Sequence, residues 1–308
     1  MSARRRLLRL AFGIALLVLL AWAIDPRQML ASVAEVRIVY LVAAAGLVCV
    51  ATLIGAVGIH LFFEPEDELS FRAFLPVFWL SWAIGLVLPG QVGDVASLSA
   101  LLKRRGIDLA RALARSLTDK LISFSLMLVF AGVALIGLPG ISWSVNSWWL
   151  VALPLATLSL LYIGRKRLLA GLSQHYPRGF EFFVRTVDES CSIGRRHPVR
   201  IILNAVITAL KIGLTGASYW LIFAALGYAD IALWKVVCLA AASSLVAYLP
   251  VSFNGIGTVE LAGVALFGTL GVSAAAVFSG YMVLRAMVLL IAWVPAGLFL
   301  LLTRKQAG

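Results

Sequence analysis

Apolar segments long enough to form helices alternate with short polar segments along nearly the whole chain. A membrane-spanning helix needs roughly 20 predominantly apolar residues. Candidate segments lie at about residues 10–24, 38–63, 117–138, 150–164, 201–226 and 275–302. Two further apolar stretches, 71–102 and 234–270, are each interrupted by glycine and proline. The pattern predicts an all-α polytopic membrane protein with about six full spans and two interrupted segments.

The first interrupted stretch, 71–102, is too short to cross a membrane twice. Its break contains Pro89, Gly90 and Gly93. The part after the break, Val95 to Leu102, has eight residues and would extend only about 12 Å as a helix. A basic cluster, Lys103-Arg104-Arg105, follows directly. We therefore predict a re-entrant helical hairpin that enters and leaves the membrane from the cytoplasmic side.

The second interrupted stretch, 234–270, has few basic residues in or next to it, in contrast to the first. Its break contains Pro250, Asn254, Gly255 and Gly257. Lys235 is its only strong cation, so we predict that this hairpin enters from outside. Irregular backbone persists at membrane depth only where protein or a water-filled cavity surrounds its polar groups. The two breaks are therefore predicted to line a polar site.

The composition agrees with membrane insertion. Of the 308 residues, 62% are hydrophobic and 13% are charged, with a mean hydropathy of +1.01, whereas an ordinary soluble domain is about 45–50% apolar. A formal charge of +12 would suggest nucleic-acid binding in a soluble chain. Here the basic residues form clusters between apolar runs, as cytoplasmic loops of membrane proteins do. We therefore expect no nucleic-acid partner, cytoplasmic N- and C-termini, and an uncleaved first span.

The chain is predicted to be one membrane domain made of two halves. Its parts are a first span with an outer surface segment (1–37), a first half (38–164), a cytoplasmic basic connector (165–200) and a second half (201–308). Gly106 and Gly271 are separated by 165 residues, and so are Lys120 and Arg285, which indicates an internal repeat. Broken helices at corresponding positions of inverted repeats are typical of transporters. We predict such a repeat, with hairpins facing opposite sides.

A small set of charged residues inside apolar segments provides the candidate site. Ionisable side chains at membrane depth are costly and usually functional. The candidates are Asp94, Glu260, Arg285, Lys211, Asp119 and Lys120. We interpret Lys211 and Arg285 as ligands of a phosphate, and the carboxylates Asp94 and Glu260 as ligands of a cationic headgroup or a coupling proton.

Simpler explanations exist for the same residues. Asp94 and Glu260 each begin a short helix after a glycine-containing break, where a carboxylate can simply cap the helix. Arg285 can form an ion pair with Glu260 or Asp94 that only fixes packing, and Lys120 can extend to the cytoplasmic interface. The three cysteines and three histidines lack ligand spacing, so we expect no metal site and no cofactor.

The interrupted segments resemble a known family. Leu88-Pro89-Gly90-Gln91-Val92-Gly93-Asp94, the stretch from Tyr248 to Glu260, Leu270-Gly271-Val272 and Arg285 are similar to motifs of the lysylphosphatidylglycerol synthase transmembrane (flippase-like) family. The chain departs from it at Asp119-Lys120, where a Glu-Arg pair is usual, and at Ser123, near which an aspartate is usual. The resemblance implies a membrane module that moves a lipid between leaflets. Because the chain stops at Gly308, it also implies a stand-alone module without the family's aminoacyl-transferase domain.

We therefore expect a lipid translocator in a bacterial inner membrane, of flippase or scramblase type, rather than an enzyme. Its partners would be membrane lipids, of anionic or polyprenyl-phosphate type. One alternative is a non-transporting membrane protein that recruits a lipid-modifying enzyme or glycosyltransferase of envelope biosynthesis through the connector 165–200. Another is an intramembrane transferase with Asp94 or Glu260 as base, for which the sequence offers no catalytic partner.

Overall fold

The computed structural model describes residues 3–24, 37–63, 67, 69–88, 92–136, 177–249 and 252–306. Ten α-helices and no strand occupy these residues, so the all-α prediction is confirmed for them. The helices are α1 (Ala3–Ala23), α2 (Ile38–His60), α3 (Phe71–Leu86), α4 (Val92–Lys103), α5 (Leu109–Ile136), α6 (Pro177–Arg196), α7 (Pro198–Ala225), α8 (Leu233–Leu245), α9 (Thr258–Gly268) and α10 (Ala274–Gln306).

Four helices of the described residues are long and apolar enough to cross a membrane. They are α2, α7 and the segments Leu109–Leu135 of α5 and Ala274–Leu298 of α10. Their outer faces carry large exposed apolar side chains, for example Val42, Val206 and Leu290, each more than 60% exposed. The predicted span at 150–164 lies outside the described residues.

Helix α5 begins at Leu109, about two helical turns before the predicted start of the span at 117–138. The span was predicted to begin only after Arg111 and Arg115 because both are charged. In the structure Arg115 is only 3% exposed and pairs with Asp67, with 2.6 Å between Nη2 and Oδ2. Its guanidinium also lies 4.6 Å from the centre of the Phe63 ring. These partners let the helix continue through a charged residue.

The first interrupted segment doubles back on itself. Ser81 in α3 donates a hydrogen bond to the carbonyl oxygen of Asp94 in α4 (3.1 Å), and Ser97 in α4 donates to the carbonyl oxygen of Ser81 (3.1 Å). Gly85 lies so close that a Cβ atom there would be 2.8 Å from Asp94 Cβ. The missing side chain thus permits the close antiparallel packing of α3 and α4. Pro89 and Gly90 lie outside the described residues.

The second interrupted segment folds through two short 3₁₀ turns, Val246–Tyr248 and Phe253–Gly255, between α8 and α9. Asn254 has a φ of 44° and Gly255 a φ of 72°. Residues with a side chain rarely adopt these values, although asparagine and glycine do so. A Cβ atom at Gly255 would also lie 2.4 Å from Val259 Cγ2, so the turn requires glycine. Pro250 lies outside the described residues.

Helix contacts in the two halves correspond pair by pair. The first hairpin packs α3 on α10 and α4 on α5, and the second packs α8 on α5 and α9 on α10. The flanking helix α2 contacts α3, and α7 contacts α8, while α2 and α7 also pack on each other. If α2, α3, α4 and α5 are matched in order with α7, α8, α9 and α10, each contact between two helices has a counterpart between the two matching helices.

The amphipathic helix α6 occupies the described part of the predicted connector 165–200. It packs on α5, where Ser190 donates a hydrogen bond to the carbonyl oxygen of Ala114 (3.3 Å). Ile193 is buried in this contact region, and Arg185 lies 3.5 Å from Asp108. Arg185, Arg195 and Arg196 are exposed. This part of the connector is thus attached to the helical domain.

Candidate functional site

The breaks of the two hairpins meet inside the molecule. Asn254, in the turn between α8 and α9, donates a hydrogen bond from Nδ2 to the carbonyl oxygen of Leu86 at the end of α3 (3.4 Å). The carbonyl groups in the last turn of a helix have no partner within that helix. The left-handed backbone of Asn254 thus places its amide where it satisfies one of them. This contact joins the tips of the hairpins.

Two cavities open beside this contact, with volumes of about 620 and 330 Å³. They share Leu86, Lys120, Lys211, Thr215 and Asn254. The larger cavity adds Glu260 and Arg285, and the smaller one adds Asp94 and Asp119. We refer to the two together as the charged cleft. It brings all six predicted site residues together.

Glu260 and Arg285 form an ion pair in the second half. Arg285 donates from Nε (2.8 Å) and from Nη2 (2.5 Å) to the same oxygen, Oε1 of Glu260. The second oxygen, Oε2, accepts the N–H of Gly257 at the start of α9 (2.7 Å). Glu260 is completely buried, whereas the Arg285 side chain is 24% exposed. The carboxylate therefore caps its helix and compensates the charge of Arg285 at the same time.

Asp94 and Lys120 form the corresponding pair in the first half. Lys120 Nζ lies 2.5 Å from Oδ2 of Asp94, and the two side chains are 24% and 27% exposed. Lys120 thus turns inward and does not extend to the surface of the helical domain. The partners are 26 residues apart, compared with 25 for Glu260 and Arg285. Each half thus places a carboxylate at the start of its second hairpin helix and a cation on the next long helix.

Lys211, on α7, lines both cavities. Its alkyl chain passes over α2, where a Cβ atom on Gly55 would lie 3.1 Å from Lys211 Cδ. The missing side chain at Gly55 leaves room for this path. Among the described residues, no carboxylate oxygen lies within 4.0 Å of Lys211 Nζ.

Asp119 belongs to a buried polar group that the sequence interpretation only partly identified. Its Oδ1 accepts a hydrogen bond from Nδ2 of Asn204 on α7 (3.0 Å), and both residues are at most 3% exposed. Asn204 was missed, although an amide inside an apolar segment is a recognisable signal. Two more polar residues of the cleft were missed: Tyr281 is bonded to Ser243 (2.6 Å between oxygens), and Ser123 is unpartnered.

Fold and site together define a multi-pass α-helical membrane protein with paired charges in its interior. The chain belongs to the family described as lysylphosphatidylglycerol synthase TM region, whose model matches residues 6–297. This match confirms the resemblance seen in the interrupted segments. The family relates the chain to membrane lipids. Neither the curated proteins nor the solved structures include a match to the chain.

Proposed function

We propose that the protein moves a membrane lipid between the two leaflets of a bacterial inner membrane. The observation that carries this proposal is the meeting of the two hairpin tips at the charged cleft, where Asn254 bonds to Leu86. A lipid headgroup must cross about 30 Å of hydrocarbon to change leaflets. A polar cleft at the centre of the protein lowers the desolvation cost of that crossing while the acyl chains stay in the bilayer.

The proposed architecture is an inverted repeat in which each half contributes one re-entrant hairpin. The corresponding helix contacts of the two halves and the matched pairs Asp94–Lys120 and Glu260–Arg285 support it. The limbs Phe71–Leu86, Leu233–Tyr248 and Thr258–Gly268 are apolar but shorter than a full span. Hairpins entering from opposite faces would open the cleft towards both leaflets, and both chain termini would be cytoplasmic.

The lining of the cleft suits an amphipathic cargo. Its lining combines charged side chains with apolar ones such as Met127, Val288 and Leu289. A headgroup contacts the first and the upper part of a lipid chain contacts the second. Small-molecule sites of about 300–1,000 Å³ are typical in proteins, and the larger cavity, at about 620 Å³, is of that size.

Filling the cleft is expected to stop lipid exchange without changing any charge. Thr215 is exposed and lines both cavities, so Thr215→Trp places an indole in the path. The matched control is Leu210→Trp on the same helix, because Leu210 is 54% exposed and lines neither cavity. Leaflet exchange of fluorescent phospholipids is measured in liposomes that contain the purified protein.

We expect the original protein and the Leu210→Trp control to accelerate exchange, and Thr215→Trp to reduce the protein-dependent rate by about tenfold or more. A protein that moves none of a broad panel of phospholipids and polyprenyl-phosphate lipids would refute the proposal. In that case the remaining candidate is the recruitment of an envelope enzyme through the connector. Scrambling the exposed positions of α6 and measuring co-purification would then test that role.

A further inference from the structure

The negative charges of the cleft are already used within the protein. Glu260 accepts hydrogen bonds from Arg285 and from the Gly257 N–H, and Asp94 accepts one from Lys120. Asp119 accepts one from Asn204. A carboxylate that is buried and paired offers little attraction to a second cation, because binding would first require its present partner to be lost.

The ammonium group of Lys211 differs from these carboxylates in its surroundings. Lys211 lines both cavities, and no carboxylate oxygen of the described part of the chain lies within 4.0 Å of its ammonium group. A cation at membrane depth is costly unless an anion or several hydrogen-bond acceptors compensate it. Among the cations that line the described cleft, Lys120 and Arg285 are paired with carboxylates, so Lys211 is the one placed to bind an anion.

Ser123 provides a second, independent sign of a ligand. It is 6% exposed, lines the larger cavity and follows Lys120 by one helical turn, and its hydroxyl has no hydrogen-bond partner in the described structure. Other hydroxyls of α5, those of Ser116, Thr118 and Ser125, each bond to the carbonyl oxygen four residues earlier. Buried hydroxyl groups nearly always have a partner. Ser123 is thus free to donate to a bound molecule after rotation about its Cα–Cβ bond.

We propose that the cleft selects lipids by an anionic phosphate, which Lys211 binds through its ammonium group and Ser123 through its hydroxyl. Lysine binds phosphate as a point charge, and charge-assisted hydrogen bonds are about twice as strong as neutral ones. This inference rests on the proposed function, since it takes the phosphate to belong to the lipid that is moved.

The proposal changes the roles suggested by the sequence. There, Lys211 and Arg285 shared the phosphate, and Asp94 and Glu260 were ligands of a cationic headgroup or a proton. With Arg285 committed to Glu260, Lys211 is the cation left for the phosphate. For a headgroup that ends in an ammonium group, the described carboxylates of the cleft are poorly placed: Asp94 and Glu260 are paired with cations, and Asp119 is 3% exposed and hydrogen-bonded to Asn204. Phosphatidylglycerol therefore fits better than phosphatidylethanolamine or a lysyl ester of phosphatidylglycerol.

Equilibrium lipid binding tests this selectivity. The purified protein in neutral detergent is titrated separately with dioleoylphosphatidylglycerol, dioleoylphosphatidylethanolamine and lysylphosphatidylglycerol, and lipid-bound protein is measured by native mass spectrometry. We expect phosphatidylglycerol to bind about tenfold more tightly than the other two lipids. Lys211→Met is expected to weaken phosphatidylglycerol binding about tenfold and Ser123→Ala about threefold, whereas Lys211→Arg retains most of the affinity.

A matched control separates the site from a general effect of lysine. Lys235 lies near the start of α8, where its ammonium group is 5.8 Å from the centre of the Trp234 ring, and it lines neither cavity. Lys235→Met should leave phosphatidylglycerol binding unchanged. If Lys211→Met does not yield monodisperse protein, Ser123→Ala and Lys211→Arg still decide the outcome, because neither alters the charge of the cleft.

Three results would overturn the inference. They are equal affinity for the anionic and zwitterionic lipids, tighter binding of lysylphosphatidylglycerol, and unchanged phosphatidylglycerol binding in both Lys211→Met and Ser123→Ala.

A further experiment uses inorganic phosphate as a competitor. If phosphate competes with phosphatidylglycerol at equal concentration, the site is one for free phosphate and not for a lipid. Binding is measured without translocation, so a protein that binds phosphatidylglycerol through Lys211 but moves no lipid would refute the proposed function and leave this inference intact.

Discussion

Glu260→Gln is expected to cause the largest loss of stability of any single change in the charged cleft. Glu260 is completely buried and is the carboxylate partner of Arg285. Breaking a fully buried ion pair costs about 3–5 kcal/mol; because Arg285 is 24% exposed, the charge left behind is partly hydrated, and we expect a cost of about 3 kcal/mol. We expect the unfolding midpoint of the purified protein in detergent, measured by intrinsic fluorescence, to fall by roughly 10 °C.

The corresponding pair in the first half provides the control. The two cations are equally exposed (24%), but Asp94 is 27% exposed whereas Glu260 is completely buried, and a partly hydrated carboxylate contributes less to a pair than a buried one. Asp94→Asn should therefore lower the midpoint by less than half as much as Glu260→Gln. The double variant Glu260→Gln with Arg285→Gln should regain part of the loss, because no unpaired charge remains. A larger effect of Asp94→Asn, or a double variant less stable than both single variants, would contradict this assignment.

Gly216→Ala is expected to have the second large effect, although it adds a single methyl group. At Gly216 the helices α7 and α8 approach so closely that a Cβ atom would lie 2.5 Å from the backbone Cα of Val237. A backbone atom cannot rotate away, so the helices must separate, and overpacking of this kind costs about 1–3 kcal/mol. Small residues at helix interfaces allow such close approach in membranes.

Gly213→Ala is the matched control because it lies on the same helix, three residues earlier, with no atom within 4 Å of its Cβ position. Alanine is a better helix former than glycine by about 1 kcal/mol, so this variant should be as stable as the original protein or slightly more so. Thermal unfolding of the two variants side by side tests the interface. Equal stability of both would show that α7 and α8 do not pack as closely as described.

The interrupted segments were predictable because glycines and a proline lie within a few residues of each other at each break, whereas single residues such as Gly213 and Pro295 lie within continuous helices. Two breaks between apolar segments too short to span, each followed by a carboxylate, were enough to locate both hairpins and the residues Asp94 and Glu260. Spacing also matched Lys120 with Arg285. The described helices begin and end near the predicted positions at both breaks.

The pairing inside the cleft was not predictable to the same degree. The sequence left Arg285 with either Glu260 or Asp94 as partner, since the choice depends on how each hairpin folds against its neighbouring helix. Asn204 was missed because an uncharged amide in an apolar segment is a weaker signal than a charged residue, and Ser123 was noted only as a departure from the family pattern and not as a site residue. The pairing of Arg115 with Asp67, 48 residues earlier in the chain, likewise depends on the folded protein.

The central claim is that the two hairpins approach the charged cleft from opposite faces of the membrane. Arg104 follows α4, and Thr269 follows α9 at a separation of 165 residues; both are exposed. Single-cysteine variants Arg104→Cys and Thr269→Cys are made in a background that lacks Cys49, Cys191 and Cys238, and are labelled in intact and permeabilised cells with a membrane-impermeant maleimide. We predict that Thr269→Cys is labelled in intact cells and Arg104→Cys only after permeabilisation. Labelling of both from the same side would contradict the inverted arrangement and, with it, the proposed path between leaflets.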